Sequence, residues 1–114
     1  MKISDIKAMD GFSCLQAEYD DAVVAEGYTS DLLSDVMAHA KEGSVLITIQ
    51  AHKNTVAVSS LAGVVAILVC NNRPVAEDMV EAARNEGIAI FQTAENQFQT
   101  SSRISQYLSG CPAR

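Results

Sequence analysis

Ser44-Val45-Leu46-Ile47-Thr48-Ile49-Gln50-Ala51-His52-Lys53-Asn54 is the stretch on which the fold turns. The run from Val45 to Ile49 is apolar, largely β-branched and too short for a helix, and it stops abruptly on polar residues. The same pattern recurs twice. Val64 to Val69 exits into Asn71-Asn72-Arg73, and Ile88 to Phe91 exits into Gln92-Thr93-Ala94-Glu95-Asn96. A segment with helical spacing follows each run. Strands alternating with helices imply a parallel sheet, and runs with almost no polar interruption imply that both sheet faces are covered. The expected fold is α/β: a three-layer α/β/α-like single domain over residues 1–114, with a mostly parallel central sheet of about 4–5 strands.

Working outward, Asp31 to Lys41 reads as a helix whose Leu32, Leu33, Val36, Met37 and Ala40 share one face, with Thr29 and Ser30 as caps. Asn54 to Ala62 reads as a weaker helix that Asn54 caps and Gly63 ends. A clearer one opens near Pro74 with Asn72 or Arg73 before it, buries Val75, Met79, Val80 and Ala83, and ends at Gly87. The last runs from Glu95 to Leu108, with Phe98, Ser102, Ser105 and Leu108 along one side. Upstream, Ser4 to Met9 makes a short helical turn, and Gly11 permits a reversal into a strand at Phe12 to Leu15. The acidic patch Glu18-Tyr19-Asp20-Asp21 reads as a solvated turn before a second short strand, Ala22 to Ala25. Residues from Gly110 to Arg114 read as a frayed tail.

Composition excludes several functions. The formal net charge is −6 and the basic residues are scattered, so no cationic stripe exists to follow a phosphate backbone, and nucleic acid is not an expected partner. Three cysteines at wide spacing, Cys14, Cys70 and Cys111, read as reduced thiols rather than a disulfide framework or a zinc site. No metal and no cofactor are expected. The amino terminus lacks an apolar signal core and no run is long enough to cross a membrane, so the expected location is the cytoplasm.

The polar chemistry collects where strands end. Right-handed crossovers place the exits of parallel strands on one rim, where Gln50, His52, Asn54, Asn71, Asn72 and Thr93 approach one another. Lys53 adds a positive charge at the amino end of the helix after Gln50, an anion-attracting position. These groups suit a polar small molecule, such as a nucleotide, held by many modest contacts. The competing role of the same residues is to cap helices and satisfy turns. A phosphoryl-transfer enzyme needs a glycine-rich loop with Lys and Ser or Thr, or a protein kinase's lysine and two aspartates, and neither set is present. Cys70 facing His52 would be a nucleophile and base pair, but a Cys at the end of an apolar run reads first as a small buried hydrophobe.

The order of elements, with the exit at Gln50-Ala51-His52, a weak helix ending at Gly63, a turn before Pro74, Asn85-Glu86-Gly87-Ile88 and then Phe91-Gln92-Thr93, resembles the DRTGG domain from about Ile3 to Leu108. That family occurs alone or fused to CBS domains, to phosphotransacetylase-like proteins and to the amino-terminal part of relatives of HPr kinase. Where it places Asp-Arg after the central strand, this chain has His52-Lys53; where it places a Gly-Gly turn, this chain has Asn71-Asn72, and Asn tolerates the left-handed backbone such a turn uses. The resemblance implies a regulatory or ligand-sensing module that is a homodimer and not an enzyme. Stand-alone proteins with this look are similar to proteins of iron-only hydrogenase systems and to some labelled kinase or anti-sigma-factor relatives, which implies a partner protein of one of those kinds. Three functions follow: a ligand-binding regulatory module that signals to a partner, a protein–protein adaptor without a ligand, and a small kinase-like phosphotransferase. The first is the expectation.

Overall fold

The computed structural model of the protein describes residues 1–110; the expectations for Cys111 and the rest of the tail lie outside them. In chain order the elements are α1 (Ile3–Lys7), β1 (Phe12–Gln16), β2 (Glu26–Thr29), α2 (Leu33–His39), β3 (Ser44–Thr48), α3 (Lys53–Ala62), β4 (Ala66–Val69), α4 (Glu77–Glu86), β5 (Ala89–Thr93) and α5 (Gln97–Leu108). The strands form one five-stranded sheet in the order β1-β5-β4-β3-β2. From β2 to β5 all neighbours are parallel, and β1 joins β5 antiparallel. The α/β class and the mostly parallel sheet are as the alternation of runs implied.

Two cores explain the uninterrupted apolar runs. Successive strand side chains point to opposite faces, so Val45, Ile47, Ala66, Leu68, Ala89 and Phe91 enter one core while Leu46, Ile67, Val69 and Ile90 enter the other. Ile3 and Ile6 of α1 and Ile104 of α5 close the first. Val36 of α2, Val56 of α3, and Met79 and Ala83 of α4 close the second. Helices on both faces follow from strands with two apolar sides. Gly63 ends α3 with φ 80°, and a Cβ there would stand 2.9 Å from Glu42 Cγ, so the turn into β4 needs its glycine twice over.

Five details depart from the sequence reading. Helix α3 opens at Lys53 with His52 at its N-cap, so Asn54 lies inside the first turn and is not the cap. The second strand is Glu26–Thr29, not Ala22 to Ala25. Val24 of that run is buried beside α1, and the run is tied to the amino terminus by Val24 N to Met1 O at 2.7 Å and Ile3 N to Ala22 O at 3.1 Å. An edge strand tolerates Glu-Gly-Tyr-Thr because neither face is fully covered. The helix after it is shorter than Asp31 to Lys41, because Asp31 is drawn out to the strand tips and Leu32 precedes the first turn. The helix after Pro74 begins at Glu77, since residues 71 to 76 cross the rim before turning inward. Finally, α5 buries Thr100 and Ile104 rather than the Phe98 and Ser102 side, and Phe98 is 82% exposed. A polar helix with few apolar residues gives periodicity too little signal to fix its rotation.

Candidate strand-tip site

Because β2 to β5 are parallel, their carboxyl ends share one edge of the sheet. Asp31, just past β2, is the hub of that edge. Its Oδ1 accepts from Thr48 Oγ1 at 3.0 Å, from the Ile49 amide at 2.9 Å and from Gln97 Nε2 at 3.0 Å, joining the exits of β2 and β3 to the start of α5. Gln50 Nε2 donates to the Asp31 carbonyl at 3.0 Å, and its Oε1 lies 3.0 Å from His52 Nε2. Thr55 Oγ1 donates to the Gln50 carbonyl at 2.9 Å. Half-buried donors and acceptors at a strand exit must find partners, and here the side chains of the corner supply them for one another.

The next exit is built differently. Asn71 and Asn72 both lie in the left-handed region, with φ 59° and 53°. Arg73 N donates to the Cys70 carbonyl at 3.2 Å, closing a turn whose two central residues have positive φ. Asn71 N reaches the Glu95 carbonyl at 2.9 Å and Asn72 N the Thr93 carbonyl at 2.8 Å, so the backbone is fixed to the β5 exit. Both side chains are exposed, and among the described residues neither amide has a hydrogen-bond partner. Since Cys70 N donates to the Thr48 carbonyl at 2.9 Å, this turn stands beside the Asp31 corner.

The expected site residues thus fall into three groups. His52, Lys53, Asn54, Asn71 and Asn72 are exposed on the shared rim. Gln50 is on the rim but both ends of its amide are engaged. Thr93 is buried at 2% exposure, and its hydroxyl accepts the Glu95 amide at 3.2 Å. His52 is the N-cap of α3 without a side-chain cap bond, and the first turn of α3 holds no acidic residue, which leaves that helix end open to an anion. Two residues outside the expected set belong here. Arg73 follows the Asn turn, is exposed and, like Lys53, is in no ion pair among the described residues. Asp31 organises the rim; a lone Asp one residue after two good caps reads as a helix-start residue, so nothing in the sequence marked it.

Other candidates lose chemistry on inspection. Cys70 is fully buried, its Sγ 3.5 Å from Thr100 Oγ1, and burial pushes its thiol pKa up, the opposite of an activated nucleophile. Cys14 is half-buried and likewise raised, chiefly by burial. Among the described residues no three His, Cys, Asp or Glu side chains are grouped to hold a metal ion, and no helix is long and apolar enough to cross a membrane.

With helices on both faces of a five-stranded, mostly parallel sheet, the protein is of the three-layer α/β class. The chain is a member of the DRTGG domain family: the family's model matches residues 15–107. A similar solved structure is that of the CBS and DRTGG domains of the regulatory region of Clostridium perfringens pyrophosphatase, complexed with its activator, diadenosine tetraphosphate. The two are 14% identical with a TM-score of 0.63, over 90% of this chain and 44% of that one, a likeness of fold. The chain therefore spans less than half the length of that neighbour. No curated protein matches it.

Proposed function

We propose that the protein is a non-catalytic regulatory module that binds a small polar ligand, a nucleotide in the first instance, on the rim formed by His52, Lys53, Asn54, Asn71, Asn72 and Arg73, and signals to a partner protein as a homodimer. The observation that carries this reading is the Asn71-Asn72 turn. Two adjacent non-glycine residues in the left-handed region are strained, and strain held in place by surrounding bonds is characteristic of functional sites. Glycines would satisfy the same backbone without strain, so what asparagines add is two exposed amides. Lys53, Arg73 and the open end of α3 supply the positive field that a phosphate seeks. The nucleotide bound by the pyrophosphatase regulatory region supports the choice of ligand class.

The test is a thermal-shift panel of adenine and guanine nucleotides, including diadenosine tetraphosphate, on the wild type and on the double variant Asn71→Gly/Asn72→Gly. A ligand present at 100 times its Kd stabilises by about 2.7 kcal/mol. The expected outcome is such a shift for the wild type and none for a double variant that keeps its circular dichroism. No shift with any nucleotide, or an equal shift in the variant, overturns the reading. An adaptor without a ligand is favoured by one observation: Phe98 at 82% and Leu32 at 64% exposure flank the Gln97 to Asp31 bond on the same rim. That reading predicts partner binding lost in Phe98→Ser and indifferent to the asparagines.

A further inference from the structure

Helices α3 and α4 pack side by side on one face of the sheet, and between them lies a cleft of about 380 Å³. Its apolar walls are Val56 and Ala57 of α3 and Ala82 of α4. Its polar groups stand at two ends. Lys53 and Asn54, both on the rim already described, line one end, and Asn85 and Glu86, in the last turn of α4, line the other. Ser60 Oγ donates to Glu86 Oε2 at 2.9 Å, which places Glu86 two turns down α3 from Lys53, about 10 Å along the helix axis. The cleft is therefore polarised, with a cation and the uncapped amino end of α3 at the rim and a carboxylate at the far end. Among the described residues the side-chain amides of Asn54 and Asn85 make no hydrogen bond, and Glu86 keeps its second oxygen uncommitted.

We propose that this cleft holds the adenosine part of the ligand, with the purine against Val56, Ala57 and Ala82, the base edge bonded to Asn85 and Glu86, and the phosphates directed to Lys53 and the rim. The inference rests on the nucleotide reading above and adds to it where the base lies and which base it is. Sites for small organic ligands are concave, roughly 300–1,000 Å³, and combine apolar walls with a few placed polar groups, as this cleft does. The rim residues proposed above are all polar, so they offer a phosphate much and a purine ring little. Charge sets the direction, since Lys53 attracts phosphates and the Glu86 carboxylate repels them. Hydrogen bonding chooses the base. A side-chain amide pairs through two bonds with the N6 amine and N7 of adenine, and the second N6 hydrogen meets the free oxygen of Glu86. Guanine presents two acceptors, O6 and N7, on that edge, and a carboxylate beside them is repelled. Its other edge presents two donors that call for two carboxylate oxygens, and Ser60 occupies one of them.

The experiment titrates the full chain with ATP, GTP and inorganic tripolyphosphate by calorimetry and follows the Ala57 and Ala82 methyl resonances by NMR. The expected result is that ATP binds at least about tenfold more tightly than GTP or tripolyphosphate. ATP also moves both methyls upfield, through the ring current of a base lying against them, and tripolyphosphate does not. Ala57→Leu exchanges one good helix former for another at an exposed position and fills the cleft, and Asn85→Ala removes the amide. Each variant should bring ATP down to the level of tripolyphosphate, whose own affinity stays as it was. ATP that binds without moving the methyls, or at full affinity in both variants, or no more tightly than tripolyphosphate, overturns the cleft assignment and leaves the rim reading standing. GTP bound as tightly as ATP overturns the choice of base. No binding of any of the three overturns the proposal together with the nucleotide reading.

Discussion

The exits of β3 and β4 are neighbours on one rim and solve the same problem in opposite ways. After β3 the side chains do the structural work: Asp31, Thr48, Gln50 and Thr55 bond to one another and to backbone, leaving little polar capacity for a ligand. After β4 the backbone does it, through the amides of Asn71, Asn72 and Arg73, and the side chains are left exposed. Polar residues at a strand exit are therefore not equivalent. Those that hold the corner together are expected to carry stability, and those freed by a backbone solution are expected to carry binding.

The largest effect should come from the hub. Asp31→Ala leaves the Thr48 hydroxyl, the Ile49 amide and Gln97 without their acceptor, and a lost charged acceptor with half-buried donors costs about 2–3 kcal/mol. At this chain length that lowers Tm by roughly 10 °C. Urea unfolding checks it: a cost below about 0.5 kcal/mol, the range of ordinary surface changes, would mean that the β3 corner is not held by side chains.

Next in size is the backbone of the other exit. Asn71→Val places a β-branched residue at φ 59°, where the left-handed region costs about 1–2 kcal/mol beyond what Asn bears. Asn71→Gly relieves that strain and should fall within about 0.5 kcal/mol of the wild type. The spread between the two variants, read from the same denaturation curves, measures the backbone's share. Equal stabilities would erase the distinction between the exits.

How much of this was legible follows from the same distinction. The three apolar runs announced β3, β4 and β5, because a strand covered on both faces leaves no polar gap in the sequence. The left-handed turn was legible in kind, since an Asn pair between a strand and a Pro is one of the few patterns that tolerate it. Asp31 was not, because its partners Thr48, Ile49 and Gln97 are 17, 18 and 66 positions away and no local spacing encodes them. Edge strand β2 was misplaced because a half-covered strand needs no apolar run, while the run at Ala22 to Ala25 serves α1 instead. Phe98 was set on the inner side because the few apolar residues of α5 leave its rotation open, and the structure gives the core position to Ile104 instead.

The smallest predicted effect lies away from the rim and serves as its control. Asp21 accepts the Ser4 amide at 3.0 Å and the Ser4 hydroxyl at 2.6 Å, and these bonds to Ser4, with a lesser pull from Lys2, hold its carboxyl below the usual carboxylate range. A carboxyl depressed in the folded state contributes stability above its unfolded pKa and loses it as pH falls through the folded one. The contact is fully exposed to solvent, so the loss should be local: below about pH 4, the ordinary carboxylate range, the Ser4 amide resonance shifts and α1 loosens. Asp21→Asn removes that dependence. The asparagine turn contains no titrating group, so Asn71 and Asn72 amide resonances should stay in place over the same window. Movement of the turn together with Ser4 would show that acid acts on the whole sheet, and the turn would lose its standing as a backbone-fixed element.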